Sequence, residues 1–389
     1  MIYMKRILTT VVGSWPRSPD LVKLLMGFQK GEYVEPSCFE EAFRNAIKWA
    51  IGEQVEACGS ESCRAGVVGI DIVSDGEQGR FGYVDMLRKY TGFGKLLPQQ
   101  FKLDSHKELM LVMDPEDVKR LAKKFQFSRI IRELEYTGEG LTLREIREAK
   151  NMLPKGKKLV YTVPSPATVI FFHPYDKNMY RDDIEAMAGV SKALRREYET
   201  VLSVENTILQ IDDPASAMGY HLKWGGKLLE RLPEHARILN EAIRGLPKER
   251  IRVHVCYGNY AAPHMDDIPF NKIMPYLSDL KVGGLVVEMA NPRHQADIEF
   301  FREHPTDKTI AVGVVDVKTP IIEHPKVVKK RLLEAAKYIP LGKLQASPDC
   351  GFGTFAFFPS LHPKIARWKL DSLVEGAYLA SKELELDFY

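Results

Sequence analysis

Cysteine is scarce in this chain, which has five among 389 residues: Cys38, Cys58, Cys63, Cys256 and Cys350. An odd and low number of cysteines argues against the disulfide framework of a small secreted domain. Long hydrophobic runs are also missing, since no stretch of about 18 apolar residues occurs and the first residues carry no apolar leader. We therefore expect a soluble cytoplasmic protein without a membrane partner, in which Cys58 and Cys63 are core or incidental thiols.

An excess of charge of one sign is absent as well. The chain has 55 Lys and Arg against 52 Asp and Glu, so its formal net charge is only +3. Such a balance lacks the basic footprint of a nucleic-acid-binding protein, and we predict no nucleic-acid partner. No internal repeat or low-complexity segment is present, which excludes a solenoid. The hydrophobic content of 45% and the length are sufficient for a large buried core.

Short β-branched runs alternate with longer helical patterns along most of the chain. This alternation is typical of βα units with a parallel sheet, and eight such units predict an α/β fold of the TIM-barrel, (β/α)8, type. The candidate strands are Ile7–Val12, Val68–Val73, Lys158–Val163, Thr207–Ile211, Ile251–Val255, Gly284–Glu288, Ile310–Val315 and Leu344–Ala346. The main candidate helices are Cys38–Cys58, Asp182–Val204, Pro233–Leu246, Lys326–Tyr338 and Ile365–Ser381.

The segment from about residue 83 to 151 is too long and too charged for a simple βα connection. Helical patterns at Pro115–Lys124 and Thr142–Ala149 predict a helical insertion after the second strand. Because no linker composition marks its edges, we predict one catalytic barrel over residues 1–389. The insertion would pack on the barrel mouth or at the interface of a homo-oligomer.

Four potential metal ligands stand where strand-like runs end. They are His254 and Cys256 in RVHVCYGNY, Glu288 in GGLVVEMANPRH and Cys350 in ASPDCGFGT. Residues i and i+2 of a strand share one face, and parallel strands of a barrel end at one common rim. One imidazole, two thiolates and a carboxylate suit tetrahedral Zn²⁺. A buried cysteine beside a hydrogen-bonded histidine remains the alternative for His254 and Cys256 taken alone.

The charge of this ligand set indicates the chemistry. Two thiolates and one carboxylate would outweigh Zn²⁺ by one negative charge, which makes the ion a poor Lewis acid toward a carbonyl. It would still lower the pKa of an incoming thiol and leave the sulfur nucleophilic. The set therefore favours alkyl transfer to sulfur over hydrolysis, which more often uses histidine-rich sites that retain a water.

Several motifs, in this order, resemble the cobalamin-independent methionine synthase family, in a short single-barrel form that matches its catalytic C-terminal half. They are TTVVGSWPRS, SDGEQGR, PSPATV, QIDDPASA, HVCYGN, VEMANPRH, GVVDVKTP and SPDCGFGT. Some of this wording is also similar to the epoxyalkane:coenzyme M transferases. The resemblance implies a zinc-dependent methyltransferase that converts homocysteine into methionine. It also implies that His254, Cys256, Glu288 and Cys350 are the zinc ligands.

The resemblance further implies a pocket for the amino-acid part of homocysteine. Gly13 and Ser14 match the backbone-and-hydroxyl cradle of its carboxylate, and Glu77 and Asp212 match the acids that bind its amino group. Arg17 is a further candidate for the substrate carboxylate. Helix capping or a surface ion pair remains the alternative for each acid.

One position departs from the family pattern. Where the folate-dependent members place a histidine in a D-x-H motif, this chain has Asp316-Val-Lys318. Lys318 is therefore predicted to act as the acid or as an anion anchor, and a charge on the rim of the barrel without a catalytic role remains the alternative. The family's N-terminal barrel is not part of this sequence, so the methyl donor stays open between methyltetrahydrofolate and a methylcorrinoid, the latter on a partner corrinoid protein.

Two other functions remain open at this stage. In a thiol alkyltransferase acting on coenzyme M and an epoxide, Arg17, Arg80 or Lys318 would bind the sulfonate. In a uroporphyrinogen-decarboxylase-like barrel without zinc, Cys256 and Cys350 would be buried thiols. His264 and His294 follow the fifth and sixth strands, and each is either a structural residue or a proton carrier that supports the site.

Overall fold

The computed structural model describes residues 6–30, 32–98, 108–124, 126–356 and 361–387. Its strands, in chain order, are β1 (Leu8–Thr9), β2 (Ile72–Ser74), β3 (Tyr90–Pro98), β4 (Gln126–Tyr136), β5 (Lys158–Pro164), β6 (Thr207–Asp212), β7 (Ile251–Val255), β8 (Gly284–Val287), β9 (Thr309–Val315) and β10 (Leu344–Pro348). Eight of them pair in parallel in the order β1-β10-β9-β8-β7-β6-β5-β2. A parallel bridge between Thr10 and Ile72 brings the two ends of this sheet together, so the barrel closes.

Helices connect the strands. Their bounds are α1 (Pro19–Lys30), α2 (Pro36–Val55), α3 (Ser60–Arg64), α4 (Pro115–Lys124), α5 (Glu139–Asn151), α6 (Pro166–Phe172), α7 (Asp183–Ser203), α8 (Ala215–Gly219), α9 (Lys227–Ala242), α10 (Phe270–Asp279), α11 (Phe300–Glu303), α12 (Pro325–Ala335) and α13 (Pro363–Glu383). The long helices bury one apolar face, as Met187, Val190 and Leu194 do on α7. None of the described helices combines the length and the apolar composition that a bilayer crossing requires.

The predicted fold class is confirmed, because each of the eight candidate strands overlaps one strand of the barrel. One helix boundary was wrong. Pro233 lies inside α9, which begins at Lys227. The buried Leu228 and Leu232 continue the apolar face of this helix on the N-terminal side of the proline, so tertiary packing extends the helix beyond the boundary that proline suggested.

The insertion after β2 contains the predicted helices α4 and α5, and in addition an antiparallel pair, β3 with β4. Sequence analysis missed this pair because its pattern is irregular. The register shifts twice, and Gly92 adopts φ 107° beside the backbone of the facing strand. The cysteines gave another correction. Cys58, before α3, forms a disulfide with Cys63 inside this helix, where core or incidental thiols were expected.

Buried charges join the insertion to the barrel. The Lys89 ammonium lies 2.9 Å from Glu145 on α5 and 3.1 Å from Glu197 on α7, and the Tyr90 hydroxyl donates to Glu197 at 2.6 Å. Burial alone would raise the pKa of Glu145, but Lys89, together with Arg80, Arg88 and the Tyr161 hydroxyl, lowers that pKa to about 2. The insertion is therefore fixed to α7 of the barrel by paired charges.

Candidate metal centre and substrate pocket

A cavity of about 1090 Å³ opens at the carboxyl ends of the barrel strands. This is the face on which TIM-barrel enzymes carry their active sites. Its floor is polar and comes from the strand ends, with Ser14, Glu77, Asp212, His254, Cys256 and Cys350. Its outer wall is largely apolar and comes in part from the insertion, with Leu109, Val112, Met113 and Val118.

His254, Cys256 and Cys350 converge on this floor. The first two come from the end of β7, and Cys350 follows β10; one ligand atom from each lies within 4.8 Å of the other two. The two sulfurs are 3.9 Å apart, close to the separation of about 3.8 Å that two thiolates take on a tetrahedral zinc ion. Both ring nitrogens of His254 are buried without a hydrogen-bond partner. An unpaired buried imidazole is costly, and a bound cation would satisfy it, so these residues fit zinc.

Glu288 lies beside this group, but its carboxylate is engaged elsewhere. Its Oε1 accepts from Lys318 Nζ at 2.5 Å and its Oε2 from the backbone N–H of Tyr257 at 3.2 Å. Burial alone would raise the pKa of Glu288, yet the Lys318 ammonium lowers it. In turn the carboxylate raises the pKa of Lys318 against the effect of burial, which makes Lys318 a weak proton donor. Glu288 as a fourth ligand stays a prediction.

Asp349 supports the centre and was not singled out from the sequence. Its carboxylate accepts from the backbone N–H groups of Met289, Ala290 and Asn291 at 2.8–2.9 Å. Gly313 makes room for it, since a Cβ at that position would overlap the Asp349 carboxylate. Asp349 thereby fixes the turn after Glu288 and, through the chain, the adjacent Cys350. The signal in the sequence that could have identified Asp349 is its position directly before Cys350, a predicted metal ligand.

Glu77 is also buried on the floor of the cavity. It adopts φ 54° and is one of the few described residues other than glycine in the left-handed region. Its Oε1 accepts from Thr162 at 2.9 Å, and its Oε2 has no partner. A Cβ at Gly13 would stand 2.5 Å from Oε1, so glycine at that position admits the carboxylate. The structure thus brings Gly13 and Glu77 together, with one acceptor oxygen left for a ligand.

Asp212 ends β6 directly beside His254 in the sheet register. Its Oδ1 accepts from Gln210 at 2.7 Å, and Gln210 Oε1 accepts from Arg252 at 2.8 Å. Arg252 also donates to Thr10 at 2.9 Å in the barrel interior. Desolvation raises the pKa of Asp212 to about 7. A cation placed against Glu77 and Asp212 would be stabilised by both carboxylates.

Ser14 lies on the cavity floor, whereas Arg17 does not line the cavity. Gly353 donates its backbone N–H toward Ser14 Oγ at 3.4 Å, and glycine at position 351 admits this hydroxyl. Arg17 donates to the carbonyl oxygens of Gly353 at 2.6 Å and Glu77 at 2.8 Å, and burial lowers its pKa to about 10. The guanidinium of Arg17 therefore binds the main chain of two pocket loops. A contact between Arg17 and the substrate stays a prediction.

Sequence analysis missed residues of the cavity wall that lie outside the motifs shared with the family. Tyr83, at the start of the insertion, lines the cavity and packs its ring 5.7 Å from that of Phe172. His221 lies on a π-helical turn, Tyr220–Trp224, and also lines the cavity. Neither stands at a strand end, so nothing in the local pattern marked either one.

Residues 7–358 match the model of the family described as the catalytic domain of the cobalamin-independent synthase. The chain belongs to this family. The match confirms the resemblance found in the sequence, and the family implies a methyltransferase.

Curated relatives agree over almost the whole chain. A methionine synthase from Thermococcus kodakarensis is 27% identical over 382 residues, which cover 97% of this chain and 94% of that protein. A methionine synthase from Saccharolobus solfataricus is 24% identical over 98% of this chain and 97% of that protein. A B12-independent methionine synthase from Shewanella sp. W3-18-1, solved with selenomethionine, shares the fold with a TM-score of 0.71 at 19% identity, over 98% of this chain and 99% of that one.

Proposed function

We propose that this protein is a zinc-dependent methyltransferase that methylates the thiol of homocysteine to form methionine. The observation that carries the proposal is the convergence of His254, Cys256 and Cys350 on the floor of a cavity that Glu77 and Asp212 also line. Zinc held by these residues, with Glu288 as a fourth ligand, would supply a Lewis acid that lowers the pKa of the substrate thiol.

The protein's own carboxylates orient the acceptor. The free Oε2 of Glu77 and the carboxylate of Asp212 bind the α-ammonium group, because opposite charges in a desolvated site attract strongly. Ser14 and the adjacent backbone at Gly13 receive the α-carboxylate. This arrangement directs the sulfur toward the cluster of His254, Cys256 and Cys350, where it is placed for attack on a methyl group.

The outer part of the cavity receives the methyl donor. A volume of about 1090 Å³ exceeds the need of homocysteine alone, since pockets of about 300–1,000 Å³ hold drug-sized ligands. The wall residues Leu109, Val112 and Val118 offer apolar contact to the part of the donor that lies against them. The donor is methyltetrahydrofolate or a methylcorrinoid presented by a partner protein.

The alkylation of coenzyme M by an epoxide is less well supported, because neither Arg17 nor Arg80 lines the cavity, and Lys318, which does, is already paired. Arg17 binds two carbonyl groups, Arg80 donates to Thr162 at 2.8 Å, and Lys318 is paired with Glu288. A metal-free barrel is also disfavoured, since it would leave the buried imidazole of His254 without a partner.

The test combines zinc analysis with a methyl-transfer assay on the purified protein. We expect about one zinc per chain, and methionine formed from homocysteine with methyltetrahydrofolate, methylcobalamin or both as donor. Zinc with product only from coenzyme M and an epoxide would replace this proposal by the alkyltransferase. Absence of zinc from protein purified without chelator would contradict both.

A further inference from the structure

Three histidines surround one buried carboxylate in the wall of the cavity. Asp267 Oδ2 is contacted by His264 Nδ1 at 2.9 Å and by His294 Nε2 at 2.8 Å, and His221 Nδ1 lies 3.7 Å from Asp267 Oδ1. They come from the loops that follow β6, β7 and β8. The cluster is separate from the candidate metal ligands His254, Cys256 and Cys350, and the function proposed above uses none of its members.

His221 differs from the other two histidines because it is not fully engaged. Its side chain is only 10% exposed, and its Nε2 forms a hydrogen bond of 2.8 Å with the hydroxyl of Tyr260. Its Nδ1 and Asp267 Oδ1 are both buried without a hydrogen-bond partner. Two unpaired polar atoms facing each other are unfavourable in a resting protein, and a proton shared between them would pair both.

Tyr260 connects this pair to the cavity. Both Tyr260 and His221 line the cavity, and Gly258, with φ 100°, makes the turn that brings the ring of Tyr260 over it. The Tyr260 ring also stacks on His264, with centroids 4.9 Å apart, which holds the phenol in place. A proton on His221 Nε2 therefore has a path to the cavity through one hydroxyl group.

The other cavity-lining histidines and lysines of the described residues are occupied. His254 is one of the candidate metal ligands, and His264 contacts Asp267 and the Tyr260 carbonyl. Lys318 is paired with Glu288, and Lys223 donates to the carbonyl of Ile170. His221 is thus the basic side chain of the wall that is available to exchange a proton with a bound donor.

We propose that Asp267, His221 and Tyr260 form a proton relay to the leaving group of a methyl donor whose methyl is carried on nitrogen. This inference rests on the proposed function. The thiolate sulfur forms the S–C bond while the C–N bond breaks and leaves its electron pair on nitrogen. That nitrogen takes the proton of the Tyr260 hydroxyl, which receives one from His221 Nε2. The imidazolium becomes a neutral imidazole, and the proton released by the next thiol restores it.

The surroundings of His221 are consistent with such a role. The charged and titratable groups facing it are Asp267, His264, Glu108, Asp266 and the Tyr260 hydroxyl. Burial lowers the pKa of His221 more than these carboxylates raise it, so its imidazolium is a stronger acid than that of an exposed histidine. The rate with a nitrogen-borne methyl group should fall as the pH rises through this pKa, on the acid side of about 6.5.

The test compares two donors that differ in their need for a proton. Zinc-loaded wild type, Tyr260→Phe and His221→Gln are assayed for transfer to homocysteine from methyltetrahydrofolate and from methylcobalamin, whose cobalt leaves without taking a proton. We expect both variants to lower kcat about 100-fold with methyltetrahydrofolate and less than about threefold with methylcobalamin. The fall in rate with rising pH that we expect for the wild type should be absent in His221→Gln. Tyr338→Phe, outside the cavity, serves as a control for loss of a tyrosine hydroxyl.

Equal losses with both donors would overturn the relay and show that Tyr260 and His221 act only structurally. Transfer by the wild type from methylcobalamin alone would also overturn it, because no leaving group would then take up a proton. If neither donor supports transfer, the proposed function is wrong, and the relay is wrong with it.

Discussion

The floor and the outer wall of the cavity differ in origin and in character. The floor consists of polar side chains at the ends of barrel strands, and most are buried below a tenth of their surface, as Cys350 is at 8%. The wall is largely apolar and partly exposed, with Val112 at 53%. Strand register fixes the floor, whereas the wall comes from the loops and from the insertion after β2, the parts of a barrel enzyme that vary most. The chemistry should therefore depend on the floor, and the choice of donor on the wall.

The largest effect is expected from Cys256→Ser or Cys350→Ser. Loss of a thiolate should reduce the zinc content from about one per chain to near zero, and transfer should fall at least about a thousandfold, since a catalytic metal contributes several kcal/mol. Atomic absorption and the transfer assay measure both. Cys38→Ser, at an exposed position, is the matched control. A serine variant that loses zinc but retains full activity would refute the assigned role of the floor.

Glu77→Gln should raise KM for homocysteine about 10- to 100-fold, because a charged hydrogen bond to the ammonium is lost. The assay is repeated with 4-mercaptobutyrate, which lacks the amino group. There we expect wild type and variant to behave alike. An equal loss with both thiols would mean that Glu77 maintains the fold of the pocket instead of binding the amine.

The joint between barrel and insertion can be tested with acid. Because the pKa of Glu145 is lowered to about 2, its stabilising effect is present above the unfolded-state value of about 4.5 and is lost as the pH falls through about 2. Glu145→Gln should reduce the free energy of unfolding at pH 7 by roughly 3 kcal/mol and weaken its dependence on pH below about 4.5. Urea unfolding at pH 7 and at a pH below about 4.5 measures both effects. Glu148→Gln, at a partly exposed ion pair on the same helix, should change neither.

Lys318→Met tests the ion pair that replaces the family's histidine. Freed from Lys318, the Glu288 carboxylate should join the other ligands, and zinc should bind about tenfold more tightly, because the carboxylate no longer has to leave a buried ion pair to reach the metal. Competition with a chromophoric chelator gives the Kd. Lys223→Met is the control for removal of a cavity lysine. Weaker zinc binding in Lys318→Met would indicate that Lys318 supports Glu288 as a ligand.

The smallest effect is expected at the apolar part of the wall that the insertion contributes. Val112→Ala should raise KM for the methyl donor about threefold through the loss of apolar contact, and leave KM for homocysteine unchanged. Leu111→Ala, at a neighbouring exposed position outside the cavity lining, should alter neither constant. A change in the homocysteine constant would show that floor and wall are not independent.

The barrel strands and the polar residues at their ends were predictable from sequence because both follow local rules. Apolar β-branched runs mark buried strands, and a histidine or cysteine that ends such a run stands out, as His254 and Cys256 do. The antiparallel pair β3–β4 was not predictable, since its glycines and register shifts break the alternation that marks a strand. The extension of α9 before Pro233 also depended on packing against its neighbours.

The sequence by itself determined the fold class, the family and the set of polar side chains at the rim, because these depend on periodicity and on motifs read along the chain. Only the tertiary structure decided which of those side chains have partners. It paired Lys318 with Glu288, tied Arg17 to main-chain carbonyls, and left His221 and Asp267 facing each other across 3.7 Å. Such pairings join residues tens to hundreds of positions apart, and their energies depend on burial and distance, which no local pattern contains.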